Sequence, residues 1–142
     1  MRYLGLDLGT KSLGLSISDE TKTIASTLKT IIFKENDFDY VLNELSKILD
    51  EFNISKIVLG LPKNMNNTLG YRSEETLYFK KLLEDKFSIE VVLQDERLTT
   101  VEATNYMIEA DISRKKRKKK IDALAANIIL QTYLDKENGG KL

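Results

Sequence analysis

The chain contains no cysteine, no histidine and no tryptophan, and a single proline among 142 residues. Without cysteine and histidine, disulfide staples, zinc fingers, thiol nucleophiles and imidazole bases are all excluded from its own side chains. Carboxylates, lysines, arginines, hydroxyls and tyrosines are left to carry any chemistry. No apolar run approaches the roughly 20 residues needed to span a bilayer, and the N-terminus lacks the basic, apolar and small-residue order of a signal peptide. A cytoplasmic protein with no membrane contact is therefore expected. The scarcity of proline, with 42% apolar residues, argues for a packed globule. At this length one domain spanning 1–142 is expected, with a polar tail over about 136–142.

Net charge is zero, from 22 basic and 22 acidic residues. The balance conceals an uneven distribution. Seven basic residues form one run, Arg114, Lys115, Lys116, Arg117, Lys118, Lys119 and Lys120, which leaves 15 basic against 22 acidic elsewhere. Such a run attracts polyanions. The lesser alternative for the run alone is a solvated loop whose charges repel each other into extension.

Tyr3 to Leu8 reads as a strand, Leu13 to Ser18 alternates with period 2, and Thr23 to Phe33 is rich in β-branched residues. Gly9–Ser12 and Asp19–Lys22 are short enough to be hairpin turns. Helical spacing follows in Phe38, Val41, Leu42, Leu45, Ile48, Leu49 and Phe52, with Asn36 or Asp37 as the cap. A buried-type strand over Lys56 to Leu59, a helix from Ser73 and a strand from Ile89 to Gln94 come next. Thr99 and Glu102 have capping-box spacing for a helix reaching about Ala110. A last helix is expected from near Lys118, with Ile121, Leu124, Ala125, Ile128 and Ile129 as its apolar stripe. The order is βββαβαβαα, a five-stranded mixed α/β sheet with helices on both faces. Right-handed crossovers place the fourth strand parallel to and beside the first. The C-terminal ends of strands one, four and five then share the edge where ligands of open α/β sheets bind.

Three carboxylates, one from each third of the chain, are candidates for that edge. Asp7 interrupts an apolar strand, where a carboxylate is depleted and costly to bury unpaired. Glu96 follows the fifth strand; Asp95 is an alternative, and the pair with Arg97 also fits a solvated turn. Asp122 lies near the start of the last helix, where the helix dipole alone would favour it. Together they would form a set of hard oxygen ligands suited to Mg²⁺ or Mn²⁺ and to phosphodiester chemistry. Asp7 would bridge two ions, and Glu96 and Asp122 would each complete one. Thr10, Lys11, Arg97 and the basic run would hold phosphates, which gives affinity without sequence readout.

Gly5-Leu6-Asp7-Leu8-Gly9-Thr10-Lys11, Gly60-Leu61-Pro62 with Asn64 and Met65, Asp95-Glu96-Arg97-Leu98-Thr99-Thr100, and Ile121-Asp122-Ala123-Leu124-Ala125-Ala126 occur in that order. With these four motifs the chain resembles the YqgF family, also called RuvX, the Holliday-junction-resolvase-like or pre-rRNA nuclease proteins, over about residues 2–135. The resemblance implies an RNase H-like fold and a cytoplasmic nuclease that processes the 5′ end of precursor 16S ribosomal RNA. Its acidic site falls on Asp7, Glu96 and Asp122. Structured RNA or branched DNA would be the substrate, with ribosomal precursor particles as partners and a monomer or homodimer as the working form. The chain departs from the family in having Ser12 where an arginine is frequent and Asn66-Asn67 where Asp-Gly is frequent. A Holliday junction resolvase and a non-catalytic nucleic-acid-binding module are the rival readings. A sugar kinase or actin-like ATPase would explain the Gly-x-Asp-x-Gly-Thr hairpin but needs a second lobe.

Overall fold

A computed structural model describes residues 1–62, 71–95 and 114–139, with the backbone alone for 71–72 and 114–122. Three antiparallel strands open the chain: β1 (Arg2–Leu8), β2 (Ser12–Ser18) and β3 (Ala25–Ile32). Gly9 N–H donates to the Ser12 carbonyl to close the first hairpin. In the second turn the Asp19 carboxylate accepts from the Thr21 hydroxyl and from the amides of Thr23 and Ile24. Those bonds, led by the Thr21 hydroxyl, hold its pKa down at about 2.

Helix α1 (Phe38–Phe52) is capped by Asp37, whose side chain accepts from Tyr40 N–H. Asn36, the other expected cap, instead takes a left-handed backbone at φ 67°. The helix stops at Asn53, also left-handed, a conformation asparagine tolerates better than most residues. Strand β4 (Ile54–Leu61), helix α2 (Tyr71–Phe87) and strand β5 (Glu90–Asp95) follow. The Ser73 hydroxyl donates to the Pro62 carbonyl and ties α2 to the end of β4. Helix α3 spans Arg114–Glu137.

The sheet order is β3-β2-β1-β4-β5, with β4 parallel to both β1 and β5. This is the mixed sheet expected from the element order, with β4 beside β1. Alternation splits its side chains between two cores. Leu4, Leu6, Leu13, Leu15, Ile57, Leu59 and Val91 face α1 and α2, meeting Val41, Leu45, Phe79 and Leu83. Tyr3, Ala25 and Val58 face α3, meeting Ile129, Leu130 and Leu134. Helices therefore cover both faces.

Strand ends and the start of α2 differ from the sequence expectation by one or two residues, and the start of α3 by four. Helix α3 begins at Arg114 rather than near Lys118, so the backbone of the whole basic run is helical. Lysine and arginine are good helix formers, and an apolar stripe that anchors the later turns lets the helix propagate back through them. At its other end α3 runs through Glu137, two residues into the stretch read as a tail. The stripe is also rotated: Ala125, Ala126, Ile129, Leu130 and Leu134 are buried, whereas Leu124 and Ile128 are half-exposed. The helix expected over 99–110 lies outside the described residues. Among the described residues no helix is long and apolar enough to cross a membrane.

Candidate active site at the C-terminal edge of the sheet

Asp7 is the next-to-last residue of β1, paired with Gly14 of β2, and lies between the buried Leu6 and Leu8. It is half-buried. Its parity is that of Tyr3 and Gly5, so its side chain belongs to the α3 face of the sheet. Glycine opposite it leaves space over the strand, and no basic side chain among the described residues pairs with it. An acidic group so placed, with only oxygen donors to offer, fits a hard divalent cation.

The hairpin beyond Asp7 presents Thr10 and Lys11, both exposed, at the same edge. Lys11 is fixed through its backbone, its carbonyl accepting from Phe33 N–H at 3.0 Å. Asp95 ends β5, paired with Leu61 at that edge. It shares parity with Val91 and Leu93, which belong to the α1/α2 core. Asp95 is thus on the face opposite Asp7.

Glu96 and Arg97 lie outside the described residues, as do Asn64, Met65, Asn66 and Asn67. Asp122 and the seven residues of the basic run are described by backbone only, as part of α3. Among the described residues no group of three acidic side chains comes together as a metal site.

The path of α3 over the sheet is set by two contacts. Near its C-terminus, the Tyr3 hydroxyl donates to Glu137 at 3.0 Å, and the Tyr3 and Tyr133 rings stand 6.2 Å apart. Further back, the helix passes Gly5 so closely that a Cβ there would meet Leu130 Cβ at 2.7 Å and the Ala126 carbonyl oxygen at 3.0 Å. Helix α3 thus runs antiparallel to β1, and its N-terminal turns approach the edge that bears Asp7. Ala125 and Ala126 were expected to allow close approach of the last helix; its meeting point at Gly5 was not foreseen, although β2 carried a signal: Ser12, Gly14, Ser16 and Ser18 put only small residues on one face.

Away from this edge, Lys56 joins the two tyrosines and Glu137. Its ammonium donates to Tyr133 Oη at 2.9 Å and to Glu137 Oε2 at 3.2 Å, and lies 4.8 Å from the centre of the Tyr3 ring. Burial opposes its charge, but the bonds to Tyr133 and Glu137 outweigh that and raise its pKa. Burial likewise pushes the Glu137 carboxyl up, and hydrogen bonds from Tyr3, Tyr133 and Lys56 override it to hold the group below the usual carboxylate range.

Residues 1–136 match the family described as RuvX, Holliday junction resolvase. Relatives whose name reads "Putative pre-16S rRNA nuclease" include one from Geobacillus sp. (strain WCH70), 53% identical over 135 residues, covering 95% of this chain and 98% of the relative. Another, from Bacillus subtilis (strain 168), is 53% identical over 138 residues, covering 97% of this chain and all of the relative. Among solved structures, Thermus thermophilus RuvC in complex with a Holliday junction substrate superposes with a TM-score of 0.57 at 17% identity, over 98% of this chain and 97% of that one. The fowlpox virus Holliday junction resolvase does so with a TM-score of 0.55 at 16% identity, over 96% and 99%. The sheet and its helices have the RNase H-like fold that these resolvases share.

Proposed function

Because this chain belongs to the RuvX family of Holliday junction resolvases, we propose that it is a single-domain, divalent-cation-dependent nuclease. It hydrolyses phosphodiester bonds in structured nucleic acid and acts in the cytoplasm on the 5′ end of precursor 16S ribosomal RNA. Asp7 carries the reading: a carboxylate in an apolar strand, at the ligand-binding edge of the sheet, in a chain 53% identical to proteins named for that activity.

Asp7, Glu96 and Asp122 are the proposed ligands of Mg²⁺ or Mn²⁺. Two considerations support the partners of Asp7. Gly5 of β1 lies against the Ala126 carbonyl of the antiparallel α3. Two residues further along the strand, about 6.6 Å, answer to about four residues back along the helix, about 6 Å, which is the separation of Asp122 from Ala126. Asp95 belongs to the face opposite Asp7, which disfavours it as a ligand and leaves Glu96, the next residue in the sequence, as the proposed one. A pair of bound cations would supply a water of lowered pKa as nucleophile and charge stabilisation at the leaving oxygen, which answers the absence of histidine. The chain's own groups do the rest. Thr10, Lys11 and Arg97 hold phosphates beside the carboxylates, and Arg114, Lys115, Lys116, Arg117, Lys118, Lys119 and Lys120 bind the backbone of the substrate. Selection is then by shape rather than by sequence.

The resolvase reading keeps one observation in its favour, the superposition on RuvC with its junction. A resolvase makes two symmetric cuts and requires a homodimer, whereas RNA trimming is open to a monomer. Purified protein is to be assayed with Mn²⁺ or EDTA on a ribosomal precursor and on a four-way junction, beside Asp7→Asn. Cleavage of the precursor that needs the cation is expected. Asp7→Asn should lower it beyond the roughly 100-fold that loss of an outer-shell partner costs, with thermal unfolding unchanged. An Asp7→Asn protein as active as the parent refutes the site, and binding without cleavage under all conditions reduces the protein to a nucleic-acid-binding module.

A further inference from the structure

The Ser16 hydroxyl of β2 reaches across Gly5 of β1 and donates to the Ala126 carbonyl of α3 at 2.7 Å, with both residues fully buried. Gly5 makes this possible, since a Cβ in its place would stand 2.3 Å from Ser16 Oγ. Over Gly5 stand the Ala126 carbonyl oxygen and Leu130 Cβ, and apolar contact is non-directional, so by itself it does not specify one axial position of the helix. A hydrogen bond has a preferred length and direction and does specify one. Hydrogen bonds from the sheet and its loops also engage Gln131, Tyr133, Glu137 and Asn138, nearer the C-terminal end of α3. The bond from Ser16 lies further toward the N-terminal half than these four.

The levers on either side of that bond match. Asp7 lies two residues beyond Gly5, about 6.6 Å along an extended strand. Asp122 lies four residues before Ala126, about 6 Å along a helix. A slip of α3 along its axis passes undiminished to the backbone of Asp122 while Asp7 stays with the strand. Divalent cations of the Mg²⁺ type demand near-ideal ligand geometry, with distances held to about 0.2 Å. We propose that Ser16 is a positioning residue for the metal site: its bond to Ala126 sets the register of α3 on β1, and thereby how tightly the Asp7 and Asp122 carboxylates share a cation. The inference rests on the ligand set proposed above, and its test separates the two.

Mn²⁺ binding to the full-length protein is to be titrated by calorimetry and by electron paramagnetic resonance, for the parent and for Ser16→Ala, Ser18→Ala and Asp7→Asn. Ser18 is the matched control. It is a buried serine on the same face of β2 that accepts from Tyr3 N–H and donates to the Asp19 carbonyl, and among the described residues it makes no hydrogen bond to α3. Ser16→Ala should weaken Mn²⁺ binding about tenfold, the lower range for loss of an outer-shell partner. In cleavage it should lower kcat and raise the Mn²⁺ concentration required, with KM for the nucleic acid unchanged. Ser18→Ala should leave Mn²⁺ affinity intact, even at an equal loss of stability in urea. Parental Mn²⁺ affinity in Ser16→Ala overturns the inference while leaving the metal site standing if Asp7→Asn has lost it. Equal losses in Ser16→Ala and Ser18→Ala overturn it as well, by showing general loosening. Parental affinity in Asp7→Asn removes the metal site and the inference with it.

Discussion

The two ends of α3 are built on opposite plans. At the C-terminal end, Lys56, Tyr3, Tyr133 and Glu137 form a compact network in which a cation, a carboxylate and two phenols satisfy one another. At the N-terminal end, seven consecutive cations occupy the first two turns, with no acidic residue in the first turn to meet the positive end of the helix dipole. Folding alone would not select that arrangement, since the cations repel each other and oppose the dipole. Charge concentrated there at a cost in local stability accords with the phosphate-binding role proposed for the run. The opposite end supplies the anchoring that this requires.

The largest expected effect lies at the N-terminal end. Replacing Lys115, Lys116, Lys118 and Lys119 by Gln should remove up to four phosphate contacts and flatten the slope of log affinity against log salt by up to about 3.6. Stability should hold or rise slightly, because repulsion at the helix start is relieved. Filter binding of an RNA duplex over a salt series reads the first, and urea unfolding reads the second. A fall in stability equal to the fall in affinity would erase the contrast between the two ends.

The mirror substitution is Lys56→Met. It removes the bonds to Tyr133 and Glu137 and the contact with the Tyr3 ring, and should cost about 1–2 kcal/mol in urea unfolding. Cleavage per folded molecule should be unchanged. A specific loss of cleavage would mean that the anchor reaches the site.

The smallest effect is in the pH dependence of stability. The Glu137 carboxyl is held below its ordinary value of 4.5 by its three donors, against the opposing effect of burial. A lowered folded-state pKa means that its contribution is complete above about 4.5 and is lost as pH falls through the folded value. Unfolding curves measured downward from pH 5 should show this decline in the parent and less of it in Glu137→Gln. Identical acid profiles would remove Glu137 from the anchor.

Much of the fold was legible because its signals are local. The period-2 run of β2, the helical spacing from Phe38 to Phe52 and the apolar strands β4 and β5 each record burial within a few residues. Handedness and short connections then left β4 no better place than beside β1. Asp7 was legible as an anomaly, an acidic residue where the pattern calls for an apolar one. The start of α3 was misjudged because like charges in a row read as extended chain, whereas the apolar turns further on carry the helix back through them. The Lys56 network was invisible for another reason: Tyr3 and Glu137 are separated by 134 positions, and nothing in either stretch points to the other.

By itself the sequence determined which chemistry is open to this protein, since a chain without cysteine or histidine is left with oxygen ligands and cationic phosphate contacts, and it determined the strands and helices through patterns of burial. Only the tertiary structure decided that Asp7 and Asp95 face opposite ways across the sheet. It also decided that α3 returns antiparallel over β1, and that Gly5 and Ser16 hold it there. Those are matters of parity and close approach between distant segments, which depend on how strands pair and helices settle and not on any residue's own preference.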